Sequence, residues 1–183
     1  MRLMPIALPL LAGALACAAP VLAALAPGAA APDFTTRGAM AGKVFQVHLK
    51  EQLKKGPVVL YFFPAAYTGG CNAEAHAFAE AIPQFQAAGA TVIGMSSDDV
   101  PTLQRFSAEK CAGKFAVASA GPTVVRGYDV ALGRQMAGRD LTKRTSYVID
   151  RAGRIAFVHD DMNPADHVAQ TLAAVRKLSK TQQ

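Results

Sequence analysis

The sequence predicts a one-domain α/β fold, a central mixed β-sheet flanked by helices, on three observations. "PVVLYFF", Pro57 to Phe63, is a continuous apolar run rich in β-branched and aromatic residues, the pattern of a strand buried on both faces. An Ala/Glu-rich segment with apolar residues at helical spacing follows, then a second apolar run, "ATVIGMSS", so the middle of the chain reads strand, helix, parallel strand. Later, "TSYVID" and "RIAFVH" alternate on either side of the Gly-containing turn "RAG", a β-hairpin signal.

The remaining elements follow in order. Residues 1–23, "MRLMPIALPLLAGALACAAPVLA", carry one early positive charge, an Ala/Leu run and small residues at the end, which reads as a secretory signal peptide cleaved after Ala23. An uncleaved anchor is the rival reading. The run is Ala-rich and interrupted by Pro5, Pro9 and Pro20, which favours cleavage. A lipid attachment at Cys17 lacks the leucine expected three positions upstream, where Ala14 stands. Residues 24–32 read as a Pro/Ala/Gly linker, and the domain itself as residues 33–183. "KVFQVHL" alternates like a half-exposed strand and "KEQLKKG" reads as a charged turn. From Cys71 to Ala88 a helix presents Phe78, Ile82 and Phe85 on one face, with Gly89 as its stop. "DDVPTLQRFSAEKC" opens with acids and a proline, as helix starts do, and "FAVASA" is another short strand. "ADHVAQTLAAVRKL" closes the chain as a basic amphipathic helix with Val168, Leu172 and Val175 on one face. Phe106 and Met95 join these as core positions. There is no internal repeat and no second domain. A strand–helix–strand start, a later hairpin and a closing helix are the order of a thioredoxin-like fold.

Composition narrows the function classes. The chain has 183 residues, 51% of them hydrophobic and 17% charged, with a formal net charge of +6. The charge is spread along the chain, and its densest stretch, "KEQLKK", is a solvated turn, so no nucleic-acid partner is expected. After cleavage no apolar span remains for stable membrane association, and the expected location is the periplasm. Of three cysteines, Cys17 leaves with the signal segment. Cys71 and Cys111 are too few for a disulfide framework, and in an oxidising compartment two thiols tend to meet.

Cys71 stands where a buried strand hands over to a helix. Unpaired N–H groups and the positive end of the helix dipole converge there, and both favour a thiolate. Gly69 and Gly70 remove side chains where substrate and backbone must approach closely. Pro64 fixes the chain's direction and can shield the sulfur. Thr68 can aim a hydroxyl at the sulfur or at whatever it attacks. The bland alternative is a buried structural cysteine; the strand-end position, glycines and hydroxyl together favour reactivity.

"P-A-A-Y-T-G-G-C" resembles the Pro-x-x-x-Thr-x-x-Cys motif of the peroxiredoxins, with Pro64, Thr68 and Cys71 in its defining positions. "APDF" resembles the family's opening, and "VVLYFFPAAYTGGCNAEA" resembles its bacterioferritin-comigratory, PrxQ-like branch, which also has a glutamate where Glu74 stands. "RTSYVIDRAGRIAFVH" resembles the late hairpin that returns an arginine, here Arg144, to the active site. The resemblance covers most of the expected mature chain. It implies a thiol-dependent peroxidase reducing hydrogen peroxide and organic hydroperoxides through a Cys71 sulfenic acid, with Arg144 and Thr68 stabilising the charge that develops. A thioredoxin-like or other thiol carrier would be the reductant, and the protein a monomer. Glu74 could bond Arg144 and fix its fork, or simply be a first-turn acid facing the dipole. Many relatives carry a second cysteine five residues after the first, where this chain has His76. Resolution from the next helix, as in some of the branch, implies an intramolecular Cys71–Cys111 disulfide. If Cys111 is only a packing residue, an external thiol resolves instead.

Other readings meet specific obstacles. A thiol-disulfide oxidoreductase or metallochaperone would want a second cysteine where "NAE" follows Cys71. A Cys–His hydrolase needs a histidine beside the cysteine. A non-catalytic exported binding module leaves the joint presence of Pro64, Thr68, Cys71 and Arg144 unexplained. His48, His76, His159 and His167 read as ordinary surface or packing residues, so no metal or other cofactor is expected. Asp98, Asp99, Asp160 and Asp161 read as loop or cap residues.

Overall fold

The computed structural model describes residues 24–181; the expected signal peptide lies outside them. Seven strands form one sheet in the order β2-β1-β5-β4-β3-β8-β9. In chain order these are β1 (Thr35–Met40), β2 (Lys43–His48), β3 (Val58–Phe62), β4 (Thr91–Ser96), β5 (Ala116–Ser119), β8 (Thr145–Ile149) and β9 (Ile155–Asp160). A separate hairpin pairs β6 (Ala131–Met136) with β7 (Arg139–Thr142). The helices are α1 (Leu49–Leu53), α2 (Gly69–Ala87), α3 (Val100–Glu109), α4 (Pro122–Gly127) and α5 (His167–Thr181). The expected α/β architecture, a mixed sheet flanked by helices, is what the chain adopts.

Strand β3 shows why its apolar run is uninterrupted. Val59 and Tyr61 point into a cluster with Phe78, Phe85, Leu103, Phe106, Leu172 and Val175, beneath α2, α3 and α5. Val58, Leu60 and Phe62 point the other way, to Leu49, Leu53, Tyr128, Tyr147 and Ile149. Both faces of the strand are covered, so the period-two alternation separates two cores rather than core from water. Trimming such a fully buried leucine or phenylalanine to alanine costs about 2–5 kcal/mol. β3 runs parallel to β4 and β4 to β5, while β3–β8 and β8–β9 are antiparallel.

Several elements differ from the expectation. Residues 24–31, expected as part of a linker, lie against the sheet. The Leu25 amide donates to the Tyr147 hydroxyl at 3.1 Å, Gly28 N–H to the Ile155 carbonyl at 2.7 Å and Ala31 N–H to the Gly153 carbonyl at 2.8 Å. Small residues there read as loose, but their bareness lets the backbone reach the β8–β9 turn. "KEQLKKG" holds most of the short helix α1, anchored by buried Leu49 and Leu53. Strand β1 has no sequence signature, because "TTRGAM" has neither alternation nor bulk; at Gly38 a side chain would strike the Val117 carbonyl at 2.6 Å. The short helix α4 and the exposed β6–β7 hairpin carried no periodic signal either.

Candidate active site

The site begins at the exit of β3. Phe63 continues the ladder, its amide donating to the Met95 carbonyl at 2.9 Å and its carbonyl accepting the Thr142 hydroxyl at 2.7 Å. Pro64, half-buried, then turns the chain into a loop. Its Ala66 N–H is held by the buried Asp98 carboxylate at 2.7 Å, and Tyr67 adopts φ 66°, a left-handed conformation unusual for a bulky residue. Thr68 is the N-cap of α2 and Cys71 its third residue, among the amides that have no carbonyl within the helix. The Thr68 hydroxyl donates to the Ala65 carbonyl at 3.1 Å. Its proton is therefore spent within the loop rather than on the sulfur.

Arg144, between β7 and β8, brings the pieces together. Its Nη2 lies 3.5 Å from Cys71 Sγ, its Nη1 donates to Glu74 Oε2, and its Nε donates to the Met162 carbonyl at 3.0 Å. Its backbone N–H reaches Met162 Sδ at 3.4 Å. A β-carbon at Gly70 would stand 3.2 Å from Arg144 Nη2, so the second glycine of the motif leaves room for the guanidinium. Arg144, Cys71 and Glu74 are all buried. Of the two readings of Glu74, a bond to Arg144 or an ordinary first-turn acid, the structure shows the bond, with the carboxylate buried on the inner face of α2.

Glu74 is only half satisfied. Its Oε1 has no hydrogen-bond partner among the described residues, and burial, outweighing the attraction of Arg144, pushes its carboxyl up to about 7. His167 Nδ1 stands 3.8 Å from that oxygen. His167, read from sequence as ordinary, is fully buried at the start of α5. Its Nε2 faces the Asp161 carbonyl at 2.8 Å and must carry the proton, since a carbonyl only accepts. Nδ1 then accepts the Ser146 hydroxyl at 2.8 Å. Burial pushes the imidazole down to about 4, so it stays neutral and ties down the segment that carries Met162.

A second arginine–carboxylate pair supports the loop from below. Asp98 accepts from Ala66 N–H, from the Ser96 hydroxyl at 2.7 Å and from Arg139 Nη1 on the β6–β7 hairpin. Asp98, expected as a loop or cap residue, is instead a buried clamp, and Arg139 carried no signal in the sequence. The clue was a carboxylate two residues past a buried strand, but its partners are 32 and 41 positions away. Its neighbour Asp99 does cap α3, accepting Thr102 N–H at 2.8 Å.

Cys111 lies just past the end of α3, fully buried in the same apolar cluster as Cys71. Both thiols are free. Burial in apolar surroundings pushes the Cys111 thiol well above the usual range. Tyr61 shares the cluster, stacked on Phe78 at 4.2 Å, with a hydroxyl that has no partner among the described residues. Exposed His76 pairs with Glu80 at 3.3 Å, and among the described residues no group of side chains could hold a metal. No helix among them is long and apolar enough to cross a membrane.

Comparison with known proteins yields a consistent set of likenesses. The AhpC/TSA family matches residues 27–158. The chain is 35% identical over 153 residues to the chloroplastic peroxiredoxin Q of Arabidopsis thaliana, covering 83% of this chain and 68% of that protein. It is similar in structure to the peroxidoxin BcpB of Mycobacterium tuberculosis, with a TM-score of 0.73 and 30% identity over 83% of this chain and 97% of the other. Peroxiredoxin Q of Xanthomonas campestris matches with a TM-score of 0.67 and 26% identity, covering 78% of this chain and 90% of that one.

Proposed function

Since the chain belongs to the AhpC/TSA family and is a thiol-dependent peroxidase of the peroxiredoxin Q group, we propose that Cys71 attacks the peroxide and that Arg144 receives the charge that departs. The observation that carries this is the single guanidinium shared between Cys71 Sγ and the Glu74 carboxylate. The arginine is oriented before any substrate arrives, so little reorganisation is needed as charge develops. Of its five N–H groups, three are taken by Met162, Glu74 and Cys71, which leaves two for peroxide oxygens. The sulfur forms a bond to one oxygen as the O–O bond breaks, and hydroxide or alkoxide leaves. With its own proton on Ala65, the Thr68 oxygen is free to accept the peroxide's O–H and hold it in line.

Cys71 is then a sulfenic acid, and Cys111 is the thiol we assign to condense with it. Both share one cluster, and Cys111 precedes two left-handed residues, Ala112 at φ 49° and Gly113 at φ 66°, at a helix end that can open locally. Bridging requires Cα atoms within about 7 Å, and in the step we assign the first turn of α2 and the end of α3 loosen to let the two sulfurs meet. Loosening also readmits water to Cys111, relieving the burial that holds its thiol protonated. A thiol reductant such as thioredoxin returns the enzyme to its reduced state. Export after cleavage at Ala23, and action as a monomer without membrane or nucleic-acid partners, belong to the same reading.

Mass spectrometry after one equivalent of peroxide tests the assignment. The expected product is one Cys71–Cys111 disulfide within a single chain that begins at Ala24. Cys111→Ser should stop at the Cys71 sulfenic acid and pass readily to sulfinic acid. Wild type that stays sulfenic, with Cys111 still open to alkylation after unfolding, would hand resolution to an external thiol.

A further inference from the structure

Met162 has no part in the chemistry above beyond its carbonyl, yet its sulfur contacts Arg144 and the residue is partly open to solvent. Its side chain is 48% exposed, its Sδ lies 3.4 Å from the Arg144 backbone N–H and its carbonyl holds the Arg144 guanidinium by Nε. The other end of that guanidinium touches Cys71 Sγ. Arg144 therefore contacts two sulfurs, Met162 Sδ through its backbone N–H and Cys71 Sγ through its guanidinium, so a peroxide drawn to this residue is brought near both. We propose that Met162 is a second oxidation site of the active centre, a thioether that takes oxygen from peroxide when Cys71 cannot.

The step is a simple oxygen transfer. A lone pair of Sδ attacks one peroxide oxygen, the S–O bond forms as the O–O bond breaks, and the other oxygen leaves as water or, from a hydroperoxide, as an alcohol. Sulfur is oxidised by two electrons and the peroxide is reduced by two. The backbone N–H of Arg144 engages the thioether, and Met162 as a residue is about half exposed, so peroxide can approach it. A thioether is a far weaker nucleophile than a thiolate, so with Cys71 reduced the thiol wins, and with Cys71 oxidised or blocked the thioether is what the peroxide meets. The sulfoxide places a polar S–O group against Arg144 where an apolar sulfur stood, and it is reversible by methionine sulfoxide reduction.

The molecule contains its own controls. Met40 and Met136 are 42% and 40% exposed, close to Met162, but lie on the β1–β2 turn side and the β6–β7 hairpin. Exposure alone therefore predicts equal oxidation at all three, and placement beside Arg144 predicts selectivity. The proposal rests on peroxide being received at Cys71 and Arg144, and the test separates the two claims. Cys71→Ser protein is treated with limiting hydrogen peroxide and sulfoxide is followed at each methionine by peptide mass spectrometry. Met162 should oxidise several-fold faster than Met40 and Met136, and in Cys71→Ser/Arg144→Met it should fall to their rate. Equal rates in the single variant, or a Met162 rate unchanged or raised in the double one, would overturn the proposal. Failure of wild-type Cys71 to oxidise before any methionine would instead overturn the site reading on which it rests.

Discussion

Cys71 and Cys111 are equally sealed from solvent, at 1% and 0% exposure, and belong to the same apolar cluster. Cys71 lies in the first turn of a 19-residue helix, with a guanidinium 3.5 Å from its sulfur and two glycines before it. Cys111 lies past the end of a helix, among carbonyls rather than free amides, and only burial bears on its thiol. Solvent accessibility cannot tell these two residues apart. The charges and dipoles within a few ångströms can, and they separate an attacking sulfur from one that must be released before it reacts.

The largest expected effect breaks the comparison at its first member. Cys71→Ser should lower peroxide turnover by at least about a thousandfold, or about 4 kcal/mol, read by peroxide loss with a thiol reductant. Cys111→Ser should leave the rate of the first Cys71 oxidation nearly unchanged. A first step slowed equally in both variants would mean that the two thiols act as one unit.

Next in size is the charge beside Cys71. Arg144→Lys keeps the cation but loses the planar fork that reaches sulfur, carboxylate and carbonyl together. Turnover should fall by at least about tenfold, or about 1.4 kcal/mol. Undiminished turnover would remove the guanidinium from the comparison.

The support beneath the loop comes third. Asp98→Ala strands the Ala66 N–H and the Arg139 guanidinium, and an unsatisfied buried donor costs about 1–3 kcal/mol. Urea unfolding should register that loss. Oxidation of Cys71 should slow while Cys111 stays protected from alkylation, because the clamp acts on the Cys71 loop.

The smallest effect is a pH dependence that sharpens the contrast. The Glu74 carboxyl is held at about 7 in the folded protein against 4.5 for the free group, so the folded chain binds the extra proton. Its contribution to stability is therefore present at acid pH and is lost as pH rises from about 4.5 to about 7. His167, pushed down to about 4 from 6.5, contributes in the opposite sense, losing stability as pH falls through that window. Thermal unfolding of wild type from pH 4.5 to 6.5 should thus be nearly flat, whereas Glu74→Gln should lose stability towards acid. Parallel profiles would place Glu74 outside this balance.

Some of this was legible in the chain. The β3 run, the helical spacing of Phe78, Ile82 and Phe85, and the β8–β9 hairpin each carry a local period, and each formed where that period placed it. Gly69, Gly70 and Cys71 likewise declare a strand-to-helix handover, because chain direction and backbone freedom are local properties. β1, α4 and the β6–β7 hairpin have no such period, and their form depends on what they pack against. The Glu74–Arg144 pair was open to suspicion only through likeness to a family, since 70 positions separate its members.

The amino-acid order by itself therefore determined the strands and helices that carry a local period and which cysteine begins a helix, since those follow from spacing along the backbone. Only the tertiary structure decided that His167 is a buried neutral brace, that Asp98 and Arg139 hold the Ala66 amide, that Thr68 spends its proton on Ala65, and that Glu74 keeps one oxygen without a hydrogen-bond partner among the described residues. Each of these turns on which groups are desolvated together. Desolvation is a property of the packed whole, which no window of sequence contains.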